Sequence, residues 1–225
     1  MNTQKQMRSG AWGQVRITAA LALAGAWLAG CSTTAYKQGD RAADSAQAAA
    51  MQAQTETQAL AGTMATLNNL VDKPAADLKL QFQSFNSALE TLATAAKRSG
   101  VAGDHLMRSN TAFLTAWEKQ LTTITNADVR SRSEARRTEV IKQFDAANNR
   151  YVEAQDALRS LVDYLQDIRR ALSTDLTANG IEAVKSLVSN ANTTTSKVQT
   201  ALAQANTDLT ALSTQMSSAR GPTAK

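Results

Sequence analysis

The sequence predicts an all-α fold, an elongated antiparallel bundle of four long helices with coiled-coil-like packing. Three observations carry that prediction. Apolar residues recur at alternating steps of three and four along four long segments. Pro74 and Pro222 are the only prolines in 225 residues, so few positions interrupt a helix. Residues that cap or turn a chain gather between the segments.

The first stripe runs Ala43, Ala46, Ala50, Ala53, Thr57, Leu60, Met64, Leu67, Val71, and Asp72 with Pro74 supplies its end. Its early half is alanine alone, which predicts close, thin packing there and a core of large side chains at the other end. The second begins Leu78, Phe82, Phe85, Leu89, passes Gly103 and Leu106, and continues through Phe113, Trp117, Leu121 and Ile124. Gly100 and Gly103 each cost about 1 kcal/mol relative to alanine inside a helix. A continuous helix packed closely at Gly103 is preferred to a kink. Asn126, Ala127 and Asp128 reverse the chain.

The third stripe is the best filled, from Val140, Phe144, Ala147 and Tyr151 to Leu165, Ile168 and Leu172. Ser173 to Asp175 are cap-type residues and Asn179 with Gly180 is a turn signal, so a short irregular link is expected before the fourth helix. That helix runs Ile181, Val184, Val188, then on to Leu209, Leu212 and Met216, and Gly221 with Pro222 ends it. Connections this short make successive helices antiparallel neighbours. With about 34 residues in the first helix and about 50 in the second, a gap of about 24 Å is expected at 1.5 Å rise per residue.

The amino-terminal end carries a different signal. Lys5, Arg8 and Arg16 precede an apolar run from Ile17 to Leu28, which is followed by Ala29, Gly30 and Cys31. This is the order of a secretory signal that ends in a lipobox. About twelve apolar residues fall short of the roughly 20 that span a bilayer as a helix. Residues 1–30 therefore read as a lipoprotein signal peptide, 31–38 as a lipidated tether, 39–220 as the bundle and 221–225 as a carboxy-terminal tail. Cys31 is the only cysteine, so an internal disulfide is impossible and lipidation is the expected role of its thiol. At about 0.8 kcal/mol per buried CH₂, several acyl chains hold a domain firmly on a membrane. Ser32, in a place where Asp is absent, resembles outer-membrane sorting, which implies a protein facing the periplasm.

Charge follows from that cleavage. The whole chain has 24 basic and 19 acidic residues, and taking away the three basic residues of 1–30 leaves 21 against 19. Nucleic-acid binding loses its electrostatic basis. Catalytic chemistry is sparse as well. His105 is the single histidine. No Glu-x-x-His pair, Gly-rich phosphate loop or Gly-x-Ser-x-Gly turn accompanies it. No cofactor or metal site is expected, and the protein is not expected to be an enzyme. Most acidic residues fall outside the apolar stripes and read as solvated faces.

One cluster stands above this background. Arg130, Arg132, Arg136, Arg137 and Lys142 face Asp128, Glu134 and Glu139 in sequence, just after the second turn and so at the anchored end of the bundle. Near an anionic headgroup surface each cation gains about 1 kcal/mol at best. The four arginines are the candidate membrane-surface contact, with an ordinary solvated helix face as the alternative, and Phe113 with Trp117 nearby reads as core.

Tyr36 to Asp40 (Tyr-Lys-Gln-Gly-Asp), Trp117 with Glu118, the Arg136–Arg137 pair and Leu172 to Thr177 (Leu-Ser-Thr-Asp-Leu-Thr) together resemble an uncharacterised domain-of-unknown-function (DUF) family of all-helical bacterial envelope lipoproteins. The resemblance implies the fold and the location, and it brings no functional residues. The function expected is a lipid-anchored cell-envelope module for structure or protein interaction, meeting another envelope protein or a second copy through its helix faces. The alternative is a periplasmic ligand-handling protein that binds a lipid or apolar molecule between helices, which requires a cavity.

Overall fold

The computed structural model describes residues 35–218. They form four helices in order: α1 (Ala35–Asp72), α2 (Leu78–Leu121), α3 (Ala127–Thr174) and α4 (Ala178–Met216). The apolar run 17–28, Cys31 and the tail 221–225 lie outside the described residues. Among the described residues no helix is long and apolar enough to cross a membrane.

α2, α3 and α4 each start where a short polar side chain accepts a backbone N–H that the helix leaves unpaired. Asp77 accepts from Lys79 N at 3.0 Å, Asn126 from Val129 N at 3.0 Å, and Thr177 from Gly180 N at 3.3 Å. Gln81 closes the first corner: its amide donates to Asn69 O and Lys73 O, and its carbonyl accepts from Ala75 N. The chain passes up, down, up and down. α1 packs on α2 and α4, and α3 closes the ring against both. The α1–α2 seam is the most extensive and the α2–α3 seam the least.

The stripes read from sequence become the core. All the named apolar positions of α3 and α4 are buried, and Leu60, Met64 and Leu67 share one cluster with Phe85, Leu161, Leu165, Val184 and Val188. Ala42, Ala43, Ala46, Ala49, Ala50 and Ala53 are buried as a sheet of methyl groups, as the alanine-only half predicts. α2 is uninterrupted, and a Cβ on Gly103 would stand 3.3 Å from the Tyr151 ring, so this glycine marks close packing and no break.

Four boundaries differ from the sequence reading, and one is the start of α3: Asn126 caps a helix that already includes Ala127 and Asp128, which were expected in the reversal. α1 begins at Ala35 and takes in Ala35–Gln38, because alanine, lysine and glutamine are good helix formers and one glycine does not stop them. Residues 35–38, expected as part of the tether, are helix. α2 ends at Leu121, short of Ile124. α1 and α2 are 38 and 44 residues long, so the gap between them falls from about 24 Å to about 9 Å. Asn179 and Gly180 stand in the first turn of α4, where a turn was expected. Thr177 caps that turn, and a Cβ on Gly180 would meet Asp175 O at 2.0 Å, so the glycine serves a tight approach within the corner.

Candidate functional site: a polar layer and an open end

Two places in the bundle stand out from its apolar packing, beyond single buried polar side chains such as Asn110 and Thr195. The first is halfway along. Glu56 on α1 is fully buried, and its Oε2 accepts a hydrogen bond from Gln155 Nε2 at 2.7 Å. Gln155 Oε1 in turn accepts from the Ser99 hydroxyl at 2.5 Å, and the Tyr151 hydroxyl donates to Ser99 O at 3.0 Å. Three helices are thus joined by one chain of donors and acceptors. Glu56 Oε1 is buried without a partner among the described residues. Burial pushes the Glu56 carboxyl above its ordinary value, and the hydrogen bonds from Gln155 and Ser99 oppose that only in part. Burial, with the neighbouring Glu56 charge second, pushes the Tyr151 hydroxyl well above its ordinary range. A cleft of about 250 Å³ in the α2–α3 seam lies over this layer, lined by Gly100, Gly103, Met107, Tyr151 and Val152.

The second place is the end where α1 begins. Here α1 opens, α2 ends, α3 begins and α4 ends, and a cavity of about 350 Å³ remains between them. Its apolar lining includes Phe113, Trp117, Leu121, Val140 and Met216, with Arg136 and Tyr36 also bordering it. A cavity of this size lies within the range of small-molecule sites, about 300–1,000 Å³. Phe113 and Trp117 meet with ring centroids 5.2 Å apart and planes tilted by 42°. The indole N–H donates to Ser133 Oγ at 2.9 Å. Trp117 is therefore half-buried, packed against the edge of the core on the stripe that predicts it, and a wall of the cavity as well.

The four candidate arginines divide in their roles. Arg137 is committed to α2: its Nε donates to Leu114 O at 3.4 Å and it pairs with Glu118 at 3.1 Å. Arg130 lies 3.9 Å from Glu134 one turn along. Arg132 and Arg136 are exposed and have no carboxylate partner among the described residues. His105 is exposed on α2, and among the described residues no group of three or more His, Cys, Asp or Glu side chains is placed to hold a metal ion.

Most of the residues that carried the resemblance converge on this same end. Tyr36 rims the cavity, and a Cβ on Gly39 would stand 3.1 Å from Phe113 Cε2 and 3.3 Å from Met216 O. The Asp40 carboxylate accepts from Ser218 N at 2.7 Å and Ser218 Oγ at 2.8 Å, fastening the end of α4 to the start of α1. Leu172–Thr177 forms the corner at the opposite end. A family model, described as a protein of unknown function (DUF2959), matches residues 33–216. The chain belongs to the DUF2959 family. No curated protein matches it. The DUF2959 model thus covers all four helices and both structural exceptions.

Sequence reading missed Glu56. Ala42, Ala46, Ala49, Ala53, Glu56, Leu60, Thr63, Leu67 and Leu70 are all fully buried and keep strict alternating steps of four and three. The neighbouring stripe through Thr57 and Met64 is more apolar at those levels, and it drew the reading one position too far round the helix.

Proposed function

We propose that this DUF2959 protein is a lipid-anchored module of the bacterial cell envelope, without catalytic activity, attached through Cys31 to the outer membrane and facing the periplasm. Its partners are the membrane and either another envelope protein or a second copy of the chain, met through helix faces. Nucleic acid is not among them. The observation that carries this reading is the lipobox directly ahead of a wholly helical body whose first helix begins at Ala35, four residues after Cys31 in sequence. Arg130, Arg132 and Arg136 then orient the bundle on an anionic surface, while Arg137 braces α2 against α3.

The test is Cys31→Ser in the full chain. The expected result is loss from the membrane fraction after alkaline washing and accumulation of the uncleaved precursor. Normal cleavage with unchanged fractionation overturns the reading.

The 350 Å³ cavity favours a second reading, in which the protein handles an apolar ligand between its helices. It differs from the first in requiring occupancy of the cavity.

A further inference from the structure

The open end of the bundle brings an apolar cavity and exposed cations together, a combination that neither core packing nor anchoring through Cys31 accounts for. Its cavity, open to solvent on one side, has an apolar wall of Phe113, Trp117, Leu121, Val140 and Met216 that suits a hydrocarbon chain, with Gln120, Gln215 and Ser218 among the polar side chains that also line it. At the border stands Arg136, exposed and without a carboxylate partner among the described residues. Arg132 is four residues earlier on α3, hence on the same face about 5–6 Å away, and like charges at that spacing repel. An anion between them relieves that repulsion. The site therefore asks for an amphiphile with one apolar chain and an anionic head.

We propose that this cavity takes one acyl chain of an anionic phospholipid, drawn from the bilayer that carries the protein, with the headgroup phosphate held by Arg136 and Arg132. The diacylglyceryl and N-acyl groups expected on Cys31 carry no phosphate, so the charge at the rim selects a separate lipid over the chain's own anchor. The inference rests on the proposed membrane location for the source of the lipid, whereas binding itself needs no anchor. It gives the helix-enclosed ligand site a ligand class and gives two of the basic residues a defined task.

Trp117 supplies the readout. The other two tryptophans are Trp12 and Trp27, and replacing both by Phe leaves Trp117 as the only indole in the chain. The protein, extracted in a mild non-ionic detergent, is titrated with lysophosphatidylglycerol carrying a brominated acyl chain, a quencher that acts at short range. Lysophosphatidylcholine with the same chain is the comparison. Saturable quenching is expected, with half-saturation at least tenfold lower for the anionic lipid. Arg136→Glu, an exposed change that leaves the core intact, should remove that preference. Ala35→Phe, which fills the border of the cavity, should reduce quenching by both lipids, with far-ultraviolet dichroism confirming that the bundle remains folded.

Equal quenching by the two lipids, unchanged in Arg136→Glu, is partition into the micelle and overturns the proposal. Quenching that is present in Cys31→Ser and absent from the acylated protein means that the chain's own lipid fills the cavity, which also overturns it. A flat titration in both proteins removes the cavity as a lipid site. It leaves the anchor to be decided by fractionation.

Discussion

The two ends of the bundle are built from the same helices by opposite means. At the end where α1 meets α2 and α3 meets α4, Leu60, Leu67, Phe85, Leu161 and Leu165 fill the interior and are buried to within a few per cent. At the other end α1 buries only alanines, Gly39 and Ser45, the helices are drawn together by polar ties, and a cavity is left among aromatic walls. Area buried sets the stability of the first end, and specific contacts set the geometry of the second. Glu56 and its partners lie between the two.

Core truncation tests the contrast most strongly. Leu165→Ala removes a fully buried side chain from the filled end and is expected to cost about 3–4 kcal/mol, within the usual range for buried leucine. Met216→Ala, which enlarges a space already open, should cost about 1 kcal/mol. Urea denaturation of the two variants checks the pair, and equal losses would erase the distinction between the ends.

The glycines give the next largest effect. Gly180→Ala puts a methyl group 2.0 Å from Asp175 O, a backbone atom in a capped corner, so the corner must open at a cost of about 2–3 kcal/mol. Gly39→Ala brings its methyl 3.1 Å from the edge of Phe113 and 3.3 Å from Met216 O. Phe113 borders a cavity into which it can shift, and about 1 kcal/mol is expected. Thermal melts read both. A larger loss at Gly39 than at Gly180 would mean that the open end is the more rigid.

Glu56 tests the layer that separates them, and here the expected sign is a gain. The folded carboxyl titrates above its ordinary value of 4.5, so between that value and the folded one the native chain holds more protons than the unfolded chain. Stability therefore falls as pH rises through that window, and below it the cost of the buried charge is absent. Glu56→Gln keeps an acceptor for Gln155 Nε2 and removes the charge. Stabilisation is expected at pH 7, about 1–2 kcal/mol for removing a buried charge, with a stability curve that falls less steeply above pH 4.5. Parallel pH profiles of the two proteins would refute this.

How much of this was legible in the sequence depends on the kind of signal. Long helices, their order and the contrast between alanine and leucine halves of α1 follow from periodicity, because a seam repeated over ten turns averages out local ambiguity. Glu56 did not show, since one buried acid in an otherwise alternating stripe looks like a solvated residue until Gln155 and Ser99, 99 and 43 positions away, are seen beside it. The cavity was equally hidden. Phe113, Trp117 and Met216 fit an ordinary core pattern, and only the shape left by α1's small residues keeps them from filling it. The corner at Gly180 was misread because an Asn-Gly pair signals a turn locally, whereas the cap at Thr177 starts the helix at Ala178, ahead of that pair.

The smallest effect belongs to the clasp at the open end. Asp40 accepts two hydrogen bonds from Ser218, and both groups are at the surface, so Asp40→Ala should lower global stability by about 1 kcal/mol or less. Its local consequence is larger than its global one, because Met216 is the last buried side chain of α4 among the described residues. Amide exchange at Ser218 and the preceding turn should accelerate about tenfold in Asp40→Ala while the protons around Leu165 keep their wild-type rates. Uniform acceleration along the whole of α4 would mean that the clasp governs the bundle as a unit, and the two ends would then no longer be independent.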